Sequence, residues 1–173
     1  MPKQYGFLYD ASRCIQCRTC EVSCQSAHNL PSGIKLRRVT ETWGGEYPDV
    51  TRTFFSSACM HCEKPACAAA CPTGAITKRA EDGIVVVDRD RCNGCRECYP
   101  ACPYGAPQFG EDGIMQKCDF CLGIGREPAC TASCSADALR SGDLAELALS
   151  AGQSAIRMEG QTGPSVIVIR HGP

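Results

Sequence analysis

Residues 92–103 read Cys-Asn-Gly-Cys-Arg-Glu-Cys-Tyr-Pro-Ala-Cys-Pro, and residues 14–24 repeat the spacing as Cys-Ile-Gln-Cys-Arg-Thr-Cys-Glu-Val-Ser-Cys. Both place their cysteines at C-x2-C-x2-C-x3-C: Cys92, Cys95, Cys98 and Cys102 in one, Cys14, Cys17, Cys20 and Cys24 in the other. Two further groups keep the flanking spacings and lengthen the middle arm. Cys59, Cys62, Cys67 and Cys71 read C-x2-C-x4-C-x3-C, and Cys118, Cys121, Cys130 and Cys134 read C-x2-C-x8-C-x3-C. The four groups use all 16 cysteines of the 173-residue chain.

The remaining composition shows why so many cysteines are needed. Only 43% of the chain is hydrophobic and 6% aromatic, with Trp43 the single tryptophan, so a large apolar core is not expected. Cross-linking by disulfides or by metal must supply the deficit. Met1–Asp10 shows neither a basic n-region nor an apolar stretch, so a cytoplasmic location is expected, in which a disulfide framework would lack its compartment. Export alongside a partner that carries a signal is the alternative. No segment approaches the ~18 apolar residues of a membrane span, and Ile84–Val87 and Val166–Ile169 are strand-sized. A formal charge of −1 with no basic stripe argues against a nucleic-acid partner.

Zinc ribbons join two CxxC pairs across a dozen or more residues and often include histidine, a pattern absent here. The C-x2-C-x2-C-x3-C spacing is that of bacterial ferredoxins. Three thiolates two residues apart can wrap three irons of one [4Fe–4S] cubane from a single tight loop. The fourth cysteine lies beyond that loop's reach and, in two-cluster ferredoxins, ligates the other cluster. A proline follows it at Cys71-Pro72 and Cys102-Pro103 but not at Cys24-Gln25 or Cys134-Ser135. With the swap applied throughout, the first set is Cys14, Cys17, Cys20 and Cys134, and the second is Cys118, Cys121, Cys130 and Cys24. The third is Cys59, Cys62, Cys67 and Cys102, and the fourth is Cys92, Cys95, Cys98 and Cys71. His61, between Cys59 and Cys62, reads as a partly exposed loop residue or as a hydrogen-bond donor to a cluster. His28 and His171 have no sequence neighbour that suggests ligation.

The expected fold is α+β: two nested bacterial-ferredoxin-like modules with short strands and helices around clusters, the whole of 1–173 forming a single compact unit. Residues 50–110 form the inner two-cluster module, and 1–49 with 111–173 the outer one. Expected elements are a strand at Gln4–Tyr9, a helix from about Cys20 to His28 ended by Leu30-Pro31-Ser32-Gly33, and a strand at Thr51–Ser56. A strand at Ile84–Val87, a helix from Asp143 to about Ala151 capped by Ser141 or Asp143, and a strand at Ser165–Arg170 follow. Residues 37–48 read as an arm packed over a cluster.

The chain resembles the iron–sulfur subunits of the dimethyl sulfoxide reductase type, the four-cluster electron-transfer partners of molybdenum and tungsten pterin enzymes. The likeness runs from about Tyr5 to Gly142. It rests on residues 14–24, on Cys-Met-His-Cys-Glu-Lys-Pro-Ala-Cys at 59–67, on Cys-Pro-Tyr-Gly-Ala-Pro-Gln-Phe at 102–109 and on Lys-Cys-Asp-Phe-Cys at 117–121. Some members of the wider group carry Trp at one ligand position and a three-iron cluster; here all sixteen positions are cysteine. The resemblance implies a non-catalytic subunit passing electrons to or from a large Mo- or W-pterin catalytic subunit of the aldehyde, formate or S/N-oxide type. Further copies of the chain, or a flavin- or quinone-linked subunit, are additional partners it allows. No P-loop, dinucleotide fingerprint or nucleophile elbow is present. An accessory or maturation protein, or a hydrogenase-linked carrier, is the alternative.

Overall fold

A computed structural model describes residues 3–125 and 127–170, so His171 lies outside the described residues. The chain runs β1 (Tyr5–Asp10), α1 (Thr19–Ala27), β2 (Arg38–Gly44), β3 (Thr51–Ser57), α2 (Ala66–Ala69), β4 (Ile76–Lys78) and β5 (Val85–Val87). It continues through α3 (Cys98–Ala101), β6 (Gln108–Phe109), β7 (Met115–Gln116), α4 (Ala129–Ala132), β8 (Leu139–Asp143), α5 (Leu144–Ala151), β9 (Ala155–Arg157) and β10 (Val166–Ile169). This is a small α+β protein of short elements, and among the described residues no helix is long and apolar enough to cross a membrane.

The one sizeable sheet has the order β8-β1-β10-β9, with β1 parallel to β10 and antiparallel to β8. Its strands alternate sides with the period of two that a pleated backbone imposes. Phe7, Tyr9, Leu139 and Val166 point into the core that holds Cys59, Cys118 and Cys130, while Leu8 and Ile167 point the other way, onto Leu144 and Leu147 of α5. Asp143 starts α5 by accepting from the backbone N–H of Ala145 at 2.9 Å, as an N-cap does. At Gly6 a Cβ would lie 2.1 Å from the Ser165 carbonyl oxygen, so only glycine lets β1 approach that loop so closely.

Three two-stranded hairpins complete the sheets: β2 with β3, β4 with β5, and β6 with β7. Their pairing crosses the expected inner boundary on both sides. Strand β3, which leads into Cys59, pairs with β2 from the N-terminal segment, and β6, which follows Cys102, pairs with β7 ahead of Cys118. The 37–48 segment differs from expectation. It is mainly one strand of the β2–β3 hairpin, with Trp43 and Tyr47 exposed, and only its root at Arg37 and Val39 is buried. Its alternating Arg-Val-Thr-Glu-Thr-Trp pattern suits a hairpin edge better than a cover over a buried site.

Candidate metal centres

Each cysteine group is delivered by a strand: β1 before Cys14, β3 before Cys59, β5 before Cys92 and β7 before Cys118. The loop that follows makes the same turn in all four groups. The residue two positions after the first cysteine has left-handed backbone in each: Gln16 (φ 59°), His61 (φ 43°), Gly94 (φ 72°) and Phe120 (φ 66°). Where three cysteines are evenly spaced, a second such residue follows at Arg18 (φ 58°) and Arg96 (φ 65°). Non-glycine residues take this conformation at a cost, which a bound partner must offset. Left-handed residues inside a tight loop turn successive N–H groups to one side, forming a concavity that suits anionic sulfur.

The fourth cysteines also share a turn, with one exception. The N–H three residues on donates back to the cysteine carbonyl from Gly74 to Cys71, Gly105 to Cys102 and Asp137 to Cys134, at 3.2, 3.3 and 2.9 Å. All three donors have positive φ, between 50° and 62°. The backbone bond therefore makes this turn with or without the proline. Cys71, Cys102 and Cys134 close short helical turns instead of starting helices, and Cys24 lies inside the nine-residue α1.

These loops bring distant cysteines together. Cys14, Cys17, Cys20 and Cys134 line one cavity with an empty volume of about 360 Å³; Cys92, Cys95, Cys98 and Cys71 line another of about 290 Å³. Neither cavity wall contains a histidine or carboxylate; beside the four thiols stand apolar side chains and uncharged or cationic polar ones, Gln16, Arg18 and Ser56 in the first and Thr73, Asn93 and Arg96 in the second. Soft sulfur-only sets of this kind suit iron–sulfur clusters. The charges of Cys59, Cys102 and Cys62 bear on Cys67, and those of Cys130 and Cys121 bear on Cys24.

Burial pushes the Cys24 and Cys67 thiols up to about 12 and Cys98 to about 11. Cys118, also buried, is raised well above the usual thiol range for the same reason. Such thiols stay protonated until a metal displaces the proton. Cys17 moves the other way because Thr19 donates to it; for Cys71 burial is the largest single influence and raises it, but donation from Thr73 and nearby backbone N–H groups together outweighs this and leaves it lowered. Both threonines stand two residues after their cysteine.

Two histidines differ from their sequence reading. His61 is fully buried: its left-handed backbone turns the ring inward, where it packs edge-on to Phe120 at 5.5 Å and Nδ1 accepts from the Val85 N–H at 3.1 Å. Burial, with Lys117, Arg37 and Lys78 nearby, holds it neutral, so its proton sits on Nε2. His28 lies with Nε2 3.4 Å from Cys121 Sγ and 3.5 Å from Asp119 Oδ1. The overlooked signal was its place four residues after Cys24, which puts both side chains on one face of α1. The charge lying between groups was not legible either. Arg37 is buried, as is Lys117, whose ammonium reaches the carbonyls of Val85 and Cys118.

Only Cys17 and Cys95 are exposed among the sixteen cysteines. Cys59, Cys118 and Cys130 lie in one buried core with Cys14, Cys20, Cys62 and Cys134 packed against it, so the first three sets adjoin through that core.

Comparison with known proteins gives a consistent result. A 4Fe-4S dicluster domain model matches residues 50–144, and a 4Fe-4S binding domain model matches residues 11–27. The protein is 46% identical over 159 residues to the B subunit of the anaerobic dimethyl sulfoxide reductase of Escherichia coli K12, covering 85% of this chain and 77% of that protein. It is 45% identical, over the same shares, to the probable anaerobic dimethyl sulfoxide reductase subunit YnfG of that strain. To the formate dehydrogenase iron-sulfur subunit of Wolinella succinogenes it is 39% identical over 169 residues, 83% of each chain.

Proposed function

The chain belongs to the iron–sulfur electron-transfer subunits of the dimethyl sulfoxide reductase type, and from that premise we propose that it holds four [4Fe–4S] clusters and relays electrons to or from a Mo- or W-pterin catalytic subunit. Cys14, Cys17, Cys20 and Cys134 hold the first cluster, and Cys118, Cys121, Cys130 and Cys24 the second. Cys59, Cys62, Cys67 and Cys102 hold the third, and Cys92, Cys95, Cys98 and Cys71 the fourth. The observation that supports this most is the meeting of Cys134 with Cys14, Cys17 and Cys20, and of Cys71 with Cys92, Cys95 and Cys98, each around one cavity. The swap implies two ferredoxin-like modules, 50–110 nested within 1–49 and 111–173, held in one unit.

Each bound cluster supplies a one-electron couple. The protein's part is to place the ligand sets in line and to shield them. The core that Cys118 and Cys130 share with Cys59, and against which Cys20 packs, gathers the first three sets with the second between the others, and the packing of α2 on α3 joins third to fourth. Exposed Cys17 and Cys95 then stand at the two ends of the line, where partners dock. With four cysteines to a cluster no iron keeps an open position, so the catalytic chemistry belongs to the partner, an aldehyde, formate or S/N-oxide oxidoreductase.

The test is a count of Fe, Mo and W per chain in the complex purified without oxygen. About sixteen Fe from this chain, four irons in each of four cubanes, together with Mo or W, is the expected result. Zinc in place of iron would overturn the cluster reading, and iron without Mo or W would overturn the pterin partner.

A further inference from the structure

Arg37 is 2% exposed, yet among the described residues it forms no ion pair with a carboxylate. Its Nη1 donates to the carbonyl oxygen and the Oγ of Ser56, at 3.2 and 3.1 Å, and its guanidinium lies 4.4 Å from the centroid of the Phe7 ring. Nε and Nη2 are buried with no hydrogen-bond partner. A permanently charged group in this position is costly unless something anionic faces it. Cys118 and Cys130 share the buried core with Phe7, the ring under the guanidinium, Cys20 packs against the same core, and Ser56 Oγ also reaches Cys20 Sγ at 3.5 Å. Cys20 belongs to the first ligand set, and Cys118 and Cys130 to the second. Lys117, the other deeply buried cation, is by contrast satisfied by two carbonyls.

We propose that Arg37 is a positioning residue shared by the first and second ligand sets, a counter-ion that stabilises an added electron at either site and raises both reduction potentials. The inference rests on the four-cluster reading. Reduction adds a negative charge beside a cation that is itself shut off from water, so their attraction is little screened. Because one cation serves both sites, it raises both together and keeps the step between them level.

The experiment is an EPR-monitored redox titration of the anaerobically purified complex, with iron counted in the same samples, for wild type, Arg37→Met and Arg37→Lys. Methionine keeps the stem over Phe7 and removes the charge; lysine keeps the charge. For R37M the reduced-to-oxidised ratio of two clusters at fixed ambient potential is expected to fall at least tenfold, 59 mV for a one-electron couple. The other two clusters stay in place, and R37K recovers most of the shift. Full iron with all four potentials unchanged would overturn the proposal, as would an equal shift in all four. If R37M loses iron, selective loss of about eight of sixteen irons, two cubanes, upholds the shared site; loss of all would mark a general structural role and overturn it. A wild-type count far from sixteen would instead fail the cluster reading, before Arg37 is in question.

Discussion

Residues 50–110 and the two segments that flank them build the same cysteine turns from different materials. In 50–110 the fourth cysteines, Cys71 and Cys102, are each followed by proline and by a left-handed glycine, and the strands are two-stranded hairpins of two or three residues apart from β3. In the flanks, Cys134 makes the turn with Ser135 and Asp137 instead, Cys24 sits in a helix, and a four-stranded sheet backed by α5 supplies packing that owes nothing to cysteine. The difference separates what the ligand geometry requires, a left-handed residue at a fixed offset, from what merely assists it, the proline. It also implies that metal contributes more of the stability between residues 58 and 118 than in the sheet.

Removing the metal should expose that division most strongly. After iron is chelated without oxygen, amide exchange is expected to lose all protection in β4 to β7 while β1, β8 and β10 keep part of theirs, since Leu8 and Ile167 still pack on Leu144 and Leu147. Equal loss in both regions would break the comparison. Next in size, Leu8→Ala removes a 2%-exposed side chain on the α5 face and should cost about 2–5 kcal/mol, read as a lower thermal midpoint at unchanged iron content. Loss of iron in that variant would mean that sheet and metal sites are not separable.

Three smaller changes test the turns. Gly105→Ala meets no atom within 4 Å and should cost only the left-handed strain, about 1–2 kcal/mol, measured as a shift in thermal midpoint. Asp137→Gly at the matching position relieves strain and gives up exposed ion pairs to Arg13 and Arg140; a change of under about 1 kcal/mol is expected. Smallest of all, Pro72→Ser makes the turn after Cys71 read like the one after Cys134. It should cost about 0.4–1 kcal/mol through the unfolded chain, with iron content unchanged, and a lost cluster would show that proline is required there.

Much of this was legible in the sequence because cysteine spacing is a local code for a local shape. Three close cysteines mean a tight loop, and Asp143 before an apolar octet means a capped helix, found at Leu144–Ala151. Strand limits fell within a residue or so, as with Tyr5–Asp10 against the expected Gln4–Tyr9. What stayed hidden depends on long-range meeting. Strand β8 has only five residues of mixed character, Leu-Arg-Ser-Gly-Asp, and becomes a strand because β1 lies beside it. Arg37 read only as the start of an arm packed over a cluster, and the fold around it reveals a buried charge over Phe7, in the core shared by cysteines of two groups. His61 seemed exposed because it lies in a loop, but φ at 43° turned it inward.

The pairing of β1 also fixes a timetable for synthesis. Its six residues leave the ribosome long before their partners, residues 139–143 and 166–169. The β4–β5 and β6–β7 hairpins join near neighbours and can close while the chain is still growing. While residues 11–138 are being made the apolar strand Tyr5–Asp10 is therefore unpaired, an aggregation hazard until β8 and β10 arrive. A truncation before residue 166 would leave that strand with an open edge.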